Sequence, residues 1–303
     1  MSQVLMKAAC FVLIIAMGYG MKQIHVFHQE DLKVFSTMMI KLTLPAAIVH
    51  NFSQITMDAS MLTIVLIGLC CSGLYMGVGY FLFRRGSVLD RAFGLVNVSG
   101  YNIGCFTMPF VQNFLGPMGI AVTSLFDTGN SIICTGTSFA IASSMVGNGG
   151  KGGRVLPIVK KLFSSVPFDC YLIMTCLTLF HIKLPALALQ FAETVGGANT
   201  FVALTMIGLG LELRMDRSHI AAVGRAVGTR LLVSLGLSLL FYCFSPFSEE
   251  VRRTLAILMF GPVSALGVAY TSMLGGDVNL ASAINSVSIL CGIVCLTGAI
   301  LVF

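Results

Sequence analysis

Apolar runs of about twenty residues recur along the whole chain, and the polar stretches between them are too short to hold a soluble domain. A helix needs roughly 20 apolar residues to cross about 30 Å of hydrocarbon. Ten such runs can be drawn: 4–22, 32–50, 61–83, 92–115, 118–146, 163–183, 186–211, 219–245, 253–274 and 279–303. The seventh is interrupted by Glu193 and the Gly196-Gly197 pair, so its spanning helix is expected to begin near Ala198. Composition agrees with a lipid solvent. The chain is 56% apolar and 10% charged, with a mean hydropathy of +0.93, whereas a soluble globular chain carries about 25% charged residues. This excludes a water-soluble enzyme, a nucleic-acid binder and a disordered scaffold. The expected fold is an all-α polytopic membrane protein. No cleavable signal is expected in the first run, because no small-x-small site follows it.

The sparse charges set orientation. Numbering loops alternately, the side away from the N-terminus carries Lys22, Lys33, Arg84, Arg85, Arg91, Lys151, Arg154, Lys160, Lys161, Arg214, Arg217 and Arg225; the other carries only Lys183, Arg252 and Arg253. The positive side faces the cytoplasm. That places both termini outside a cytoplasmic membrane, which an even number of spans also requires. The cysteines all fall in or at the edges of spans, where they read as small packing residues.

Two spans differ from the rest. The fourth reads Asn97-Val-Ser-Gly-Tyr-Asn-Ile-Gly-Cys-Phe-Thr-Met-Pro-Phe110, and the ninth Phe260-Gly-Pro-Val-Ser-Ala-Leu-Gly-Val-Ala-Tyr270. Pro109 and Pro262 each remove an amide donor and clash with the preceding turn. Backbone groups freed in this way cannot face lipid and must line protein or a watery space. The breaks fall in the fourth span of each half, and the glycine-rich stretch 147–154 lies at the midpoint. Five spans per half is an odd number, so the second half enters the membrane inverted. The expected organisation is therefore a first five-helix repeat over 1–146, a cytoplasmic linker over 147–162 and a second, inverted repeat over 163–303. A discontinuous helix in each half points to a site near the midplane. Half-helix N-termini suit a carboxylate there, and Asn102 can both donate and accept.

The segment Asn102-Ile-Gly-Cys-Phe-Thr-Met-Pro109 resembles the Asn…Pro crossover segment of the auxin efflux carrier family, including its PIN-type members. Leu115-Gly-Pro-Met-Gly119, Phe126-Asp-Thr-Gly-Asn130, Gly18-Tyr19, Leu44-Pro45, Gly208-Leu-Gly-Leu211 and Gly275-Gly-Asp-Val-Asn-Leu-Ala-Ser282 are similar to that family too, in the same order. The resemblance implies a ten-span carrier of the bile-acid/arsenite/riboflavin transporter type, with scaffold and core parts and crossing fourth and ninth helices. Such carriers move organic anions, auxin in plants and malate or malonate in bacteria, and often pair as homodimers through the scaffold helices. By the match, Asn102, Ile103, Gly104 and Pro109 form the first crossing and Gly261, Pro262, Val263 and Ser264 the second. The second crossing lacks the further Pro and the Gln of the plant branch, and the linker is short. Both departures speak for a bacterial carrier and against auxin.

Charged residues inside spans are functional candidates. Asp127 can hold a proton or Na⁺ and couple it to transport, with Asn130 on the same helix face; the alternative is a structural carboxylate bonded to Thr128, Asn130 or the broken backbone. Arg230 can meet an anion bidentately or pair with Asp127 or Glu212. Lys7 and Lys41 read as snorkelling, and Asn51 as a helix cap. Phe126-Asp-Thr-Gly129 has no second copy to form a protease dyad. His25-x-x-His28 is a loop pair for which no metal is expected, and stretch 147–154 is not a phosphate-binding loop. The expected function is a secondary transporter of a small organic anion, a carboxylate, working by alternating access. No cofactor is expected beyond a coupling proton or Na⁺, and the partners are the anion and membrane lipid. An anion channel or an uncoupled facilitator using the same broken helices is the alternative.

Overall fold

The computed structural model describes residues 2–147, 160, 162–212 and 216–303. Most of the expected linker, residues 148–159 and 161, lies outside them, as do Lys151, Arg154, Lys161 and Arg214 of the charge count. The described residues are almost entirely helical. Before the linker run α1 (Ser2–Gln23), α2 (Asp31–Met38), α3 (Leu44–Phe52), α4 (Thr63–Phe83), α5 (Val88–Asn97), α6 (Met108–Phe114), α7 (Gly116–Ile132) and α8 (Ser138–Met145). After it run α9 (Val166–Leu179), α10 (Ala186–Gly197), α11 (Asn199–Gly210), α12 (Ile220–Phe244), α13 (Glu249–Leu258), α14 (Leu266–Leu274) and α15 (Val278–Val302).

Prolines leave local signatures. Pro45 and Pro109 each sit two residues beyond a π turn, Met39–Thr43 and Ile103–Thr107. Each ring excludes the carbonyl four residues back, and the wider turn absorbs the missing bond. In the second case Thr107 reaches back five residues, its amide to the Asn102 carbonyl at 3.1 Å and its hydroxyl to the same oxygen at 3.3 Å.

Five helical runs are long and apolar enough to cross a bilayer: Gln3–Gln23, Asp31–Phe52, Ala59–Phe83, Arg217–Phe244 and Val278–Val302. The other five expected spans fall short for identifiable reasons. The fourth and ninth are broken, at 98–102 and 259–265. The seventh divides at Ala198 into α10 and α11, so helix also forms ahead of the point where the sequence placed its start. The sixth yields only α9, 14 residues long. The fifth is continuous but polar, and its surroundings explain why: every residue of α7 from Gly119 to Asn130 is buried. A helix sheathed in protein needs no apolar surface for lipid, whereas α1 and α12, each 22% buried over the spanning window, carry theirs outward.

The motifs around Gly18 and Gly208 come together where α1 packs on α11. A Cβ on Gly208 would overlap the Ile15 carbonyl and lie 2.8 Å from the Tyr19 amide. Small residues here let two backbones touch, as membrane helix pairs require. Gly208→Val is expected to lower the melting temperature in detergent by roughly 5 °C, the cost of forcing a packed interface apart. Gly224→Val, on open helix surface with nothing within 4 Å, should leave it unchanged; equal effects from the two variants would refute the interface.

Candidate functional site

The two breaks lie against each other. The Asn102 amide donates to the Pro262 carbonyl at 2.9 Å, so one orphaned backbone group satisfies another. Gly100 turns the chain with φ +66°, and a Cβ there would collide with the Cys134 sulfur. Arg230, from the middle of α12 and 3% exposed, completes the junction. It donates to the carbonyls of Val98 at 2.7 Å, Gly100 at 2.6 Å and Gly261 at 3.2 Å, two oxygens of the first break and one of the second. Its guanidinium lies against the rings of Tyr75 and Tyr101, with centroids at 4.1 and 4.8 Å. It pairs with neither Asp127 nor Glu212; among the described residues no carboxylate lies within salt-bridge distance of it.

Asn130 grips the first break from the other side. Its Oδ1 accepts from the Tyr101 amide at 3.0 Å and its Nδ2 donates to the Tyr101 carbonyl at 3.0 Å, a two-point clamp on an unwound residue. Ser72 and Cys134 also donate to Oδ1, at 2.8 and 3.1 Å. Nδ2 donates to Asp127 Oδ1 at 2.8 Å, and the Tyr171 hydroxyl donates to Asp127 Oδ2 at 3.1 Å. Asp127 thus has two neutral donors, while Thr128 bonds back to Ser124 instead. The carboxylate faces Gly104: a Cβ on that glycine would lie 3.9 Å from Asp127 Oδ2.

A cavity of 1420 Å³ ends at this junction. Asn102, Cys105 and Ala265 line its inner end, where the helical runs after each break begin. Its walls are Met206, Ile207 and Gly210 of α11, Val268 and Ala269 of α14, and Asn279, Ser282, Asn285 and Ser286 of α15. Its mouth is formed by Gln29, Glu30, Lys33, Glu212, Asp216 and His219. Beside the mouth, Lys22 holds the Leu211 carbonyl at 2.6 Å and His219 meets Asp277 at 3.0 Å. On the far side of the junction the space is filled. The rings of Phe11, Phe106 and Phe110 pack there in edge and tilted contacts, Asn113 donates to Thr200 at 2.7 Å, and Lys7 reaches the Asn113 carbonyl at 3.2 Å.

Of the residues singled out in the sequence, Asn102 reaches the cavity wall. Ile103, Gly104, Pro109, Gly261, Pro262, Val263 and Ser264 pack in or next to the two breaks without lining it. Asp127, Asn130 and Arg230 form the layer behind. Sequence reasoning passed over Tyr75, Tyr101 and Tyr171, and over the polar stripe on α15. That stripe was legible: Asn279, Ser282 and Ser286 recur at helical spacing on an otherwise apolar span. The tyrosines carried no such pattern.

Residues 3–148, which include the first break, α7 and the Asp127–Asn130 pair, match the family described as membrane transport protein. This stretch is similar to that family. The resemblance to the auxin efflux carriers read in the sequence is borne out over it. An uncharacterized transporter of Methanothermobacter thermautotrophicus is 25% identical over 228 residues, which cover 74% of this chain and 73% of the relative. Family and relative are both described as transporters, and a multi-pass membrane protein fits the apolar helices. Asn130→Ala would strand the buried amide and carbonyl of Tyr101. It is expected to cost about 3 kcal/mol of stability, seen as a lowered melting temperature in detergent; wild-type melting would show that the clamp is dispensable.

Proposed function

We propose that this chain is a secondary transporter that moves a small organic anion, a carboxylate, across the cytoplasmic membrane by alternating access. The observation that carries the reading is the cavity, which runs from one side of the molecule to the place where both broken helices meet. At that point the two helical runs beginning after the breaks turn their amino-terminal ends to the cavity at Asn102 and Ala265, and such ends favour negative charge. Asn102 supplies a side-chain amide, and Asn285 adds another amide-bearing residue to the wall. Ser264, one residue from the cavity wall, is proposed to join the anion site when the core part moves.

The wider organisation belongs to the same proposal: ten spans, two inverted five-helix repeats, both termini outside and a homodimer through the scaffold helices. The mouth is built from the loops that carry the larger share of Lys and Arg, so the open end faces the cytoplasm and the conformation is inward-facing. A proton or Na⁺ at Asp127 couples the cycle. Asp127 lies behind Gly104, close to the anion site, and has only neutral hydrogen-bond donors.

Asn102→Ala is expected to weaken carboxylate binding about tenfold while leaving the fold intact. A thermal-shift titration of purified protein measures both, and unchanged affinity would remove Asn102 from the site. Asp127→Asn is expected to abolish the pH- or Na⁺-dependence of uptake into proteoliposomes; dependence retained in full would rule out its coupling role. Counterflow of labelled carboxylate tests the carrier reading itself, since conduction without exchange is channel behaviour.

A further inference from the structure

Breaking two helices at mid-membrane creates four helix ends around one point. The carbonyl ends, after Asn97 and after Leu258, carry partial negative charge; the amide ends, at Ile103 and Leu266, carry partial positive charge. At about half a charge each, they cancel in pairs. What remains is the guanidinium of Arg230, a full and permanent positive charge. It is buried, its donors are given to the carbonyls of Val98, Gly100 and Gly261, and no carboxylate among the described residues lies within salt-bridge distance of it; the acidic neighbour in the same layer, Asp127, is reached through Asn130 and Tyr101. A buried charge without a counter-ion is costly.

We propose that Arg230 is a positioning residue with two separable tasks: its forked donors tie the carbonyl ends of the two broken helices together, and its permanent charge, in no direct ion pair, makes the neighbouring cavity select anions over neutral molecules of the same shape. The selectivity task rests on the carrier reading above. Arg230 acts through the backbone it holds and through its field, since it does not itself line the cavity. The tie needs a planar fork, because oxygens on two separate segments must be met at once. The tyrosine rings at 4.1 and 4.8 Å pack against that fork. Tyr75 is itself fixed through its hydroxyl, 2.7 Å from Ser234 on the helix that carries Arg230.

Two substitutions separate the tasks. Arg230→Lys keeps the charge and loses the fork; Arg230→Gln keeps two donors and loses the charge. The full-length protein is titrated by thermal shift with benzoate, butyrate and succinate, each against its primary amide. Maleimide labelling of Cys105, on the cavity wall beside the first break, is followed by peptide mass spectrometry. Arg230→Gln is expected to lower the preference for carboxylate over amide about tenfold, and Arg230→Lys to retain it. Both should label Cys105 several times faster than wild type as the junction loosens. A folded Arg230→Gln protein with wild-type preference overturns the selectivity task, and unchanged Cys105 labelling in both variants overturns the tie. If Arg230→Gln does not fold, Asn102→Asp decides selectivity, because it sets a negative charge on the wall with Arg230 in place. It should lose carboxylate preference well beyond Asn102→Ala, and equal loss in the two refutes the field. A wild-type protein stabilised by none of these compounds overturns the carrier reading and the selectivity task with it, while Cys105 labelling still decides the tie.

Discussion

Everything at the centre of this protein follows from the cost of an unpaired peptide group where water is scarce. Two helices stop and restart at mid-molecule, and the groups they release find one another or a side chain sent from elsewhere. The Asn102 amide meets the Pro262 carbonyl. Arg230 gathers three more carbonyls. Asn130 clamps Tyr101 at both its amide and its carbonyl. Each bond is modest in water, but the alternative here is an orphaned donor or acceptor in a low-dielectric interior, and that penalty holds the junction together.

The same constraint divides the helices into two kinds. α1, α12 and α15 are long and apolar enough to fit the ordinary description of a spanning segment, although α12 sends Arg230 inward and α15 carries a polar stripe. The other segments at the centre do not fit it. α7 holds Asp127, Thr128 and Asn130 because protein, not lipid, surrounds it from Gly119 to Asn130. α5 and α13 end ahead of the junction, and carbonyls in the breaks that follow them, those of Val98, Gly100 and Gly261, are met by Arg230. A count of spans based on apolar length therefore finds the sheath and misses much of the centre, and elements that fail the test lie around the functional core.

Much of this was legible in the residues. Pro109, Pro262 and the Asn, Gly and Ser around them announced both breaks, because proline removes a donor wherever it sits and lipid cannot replace it. Asp127 and Asn130 were visible as polar residues three apart on one face, and they do bond to each other. Arg230 stood out as an intramembrane charge, but its partners did not. The sequence offered an anion, Asp127 or Glu212; the folded chain directs it to carbonyls, and a backbone oxygen leaves no mark in an amino-acid string. The seventh span was seen to be interrupted at Gly196-Gly197, yet helix α10 forms ahead of the interruption all the same.

By itself, the order of residues determined that the chain is helical, that it lives in lipid, and that it is weakened at two matching places. Those are local consequences of side-chain polarity and of proline's missing hydrogen. Only the tertiary structure decided that the two weak places touch, that Arg230, packed against Tyr75 and Tyr101, joins them, and that a cavity bordered by α11, α14 and α15 stops at Asn102. These facts depend on distances between segments more than a hundred residues apart, which are set by how whole helices pack rather than by any property a single stretch of sequence carries.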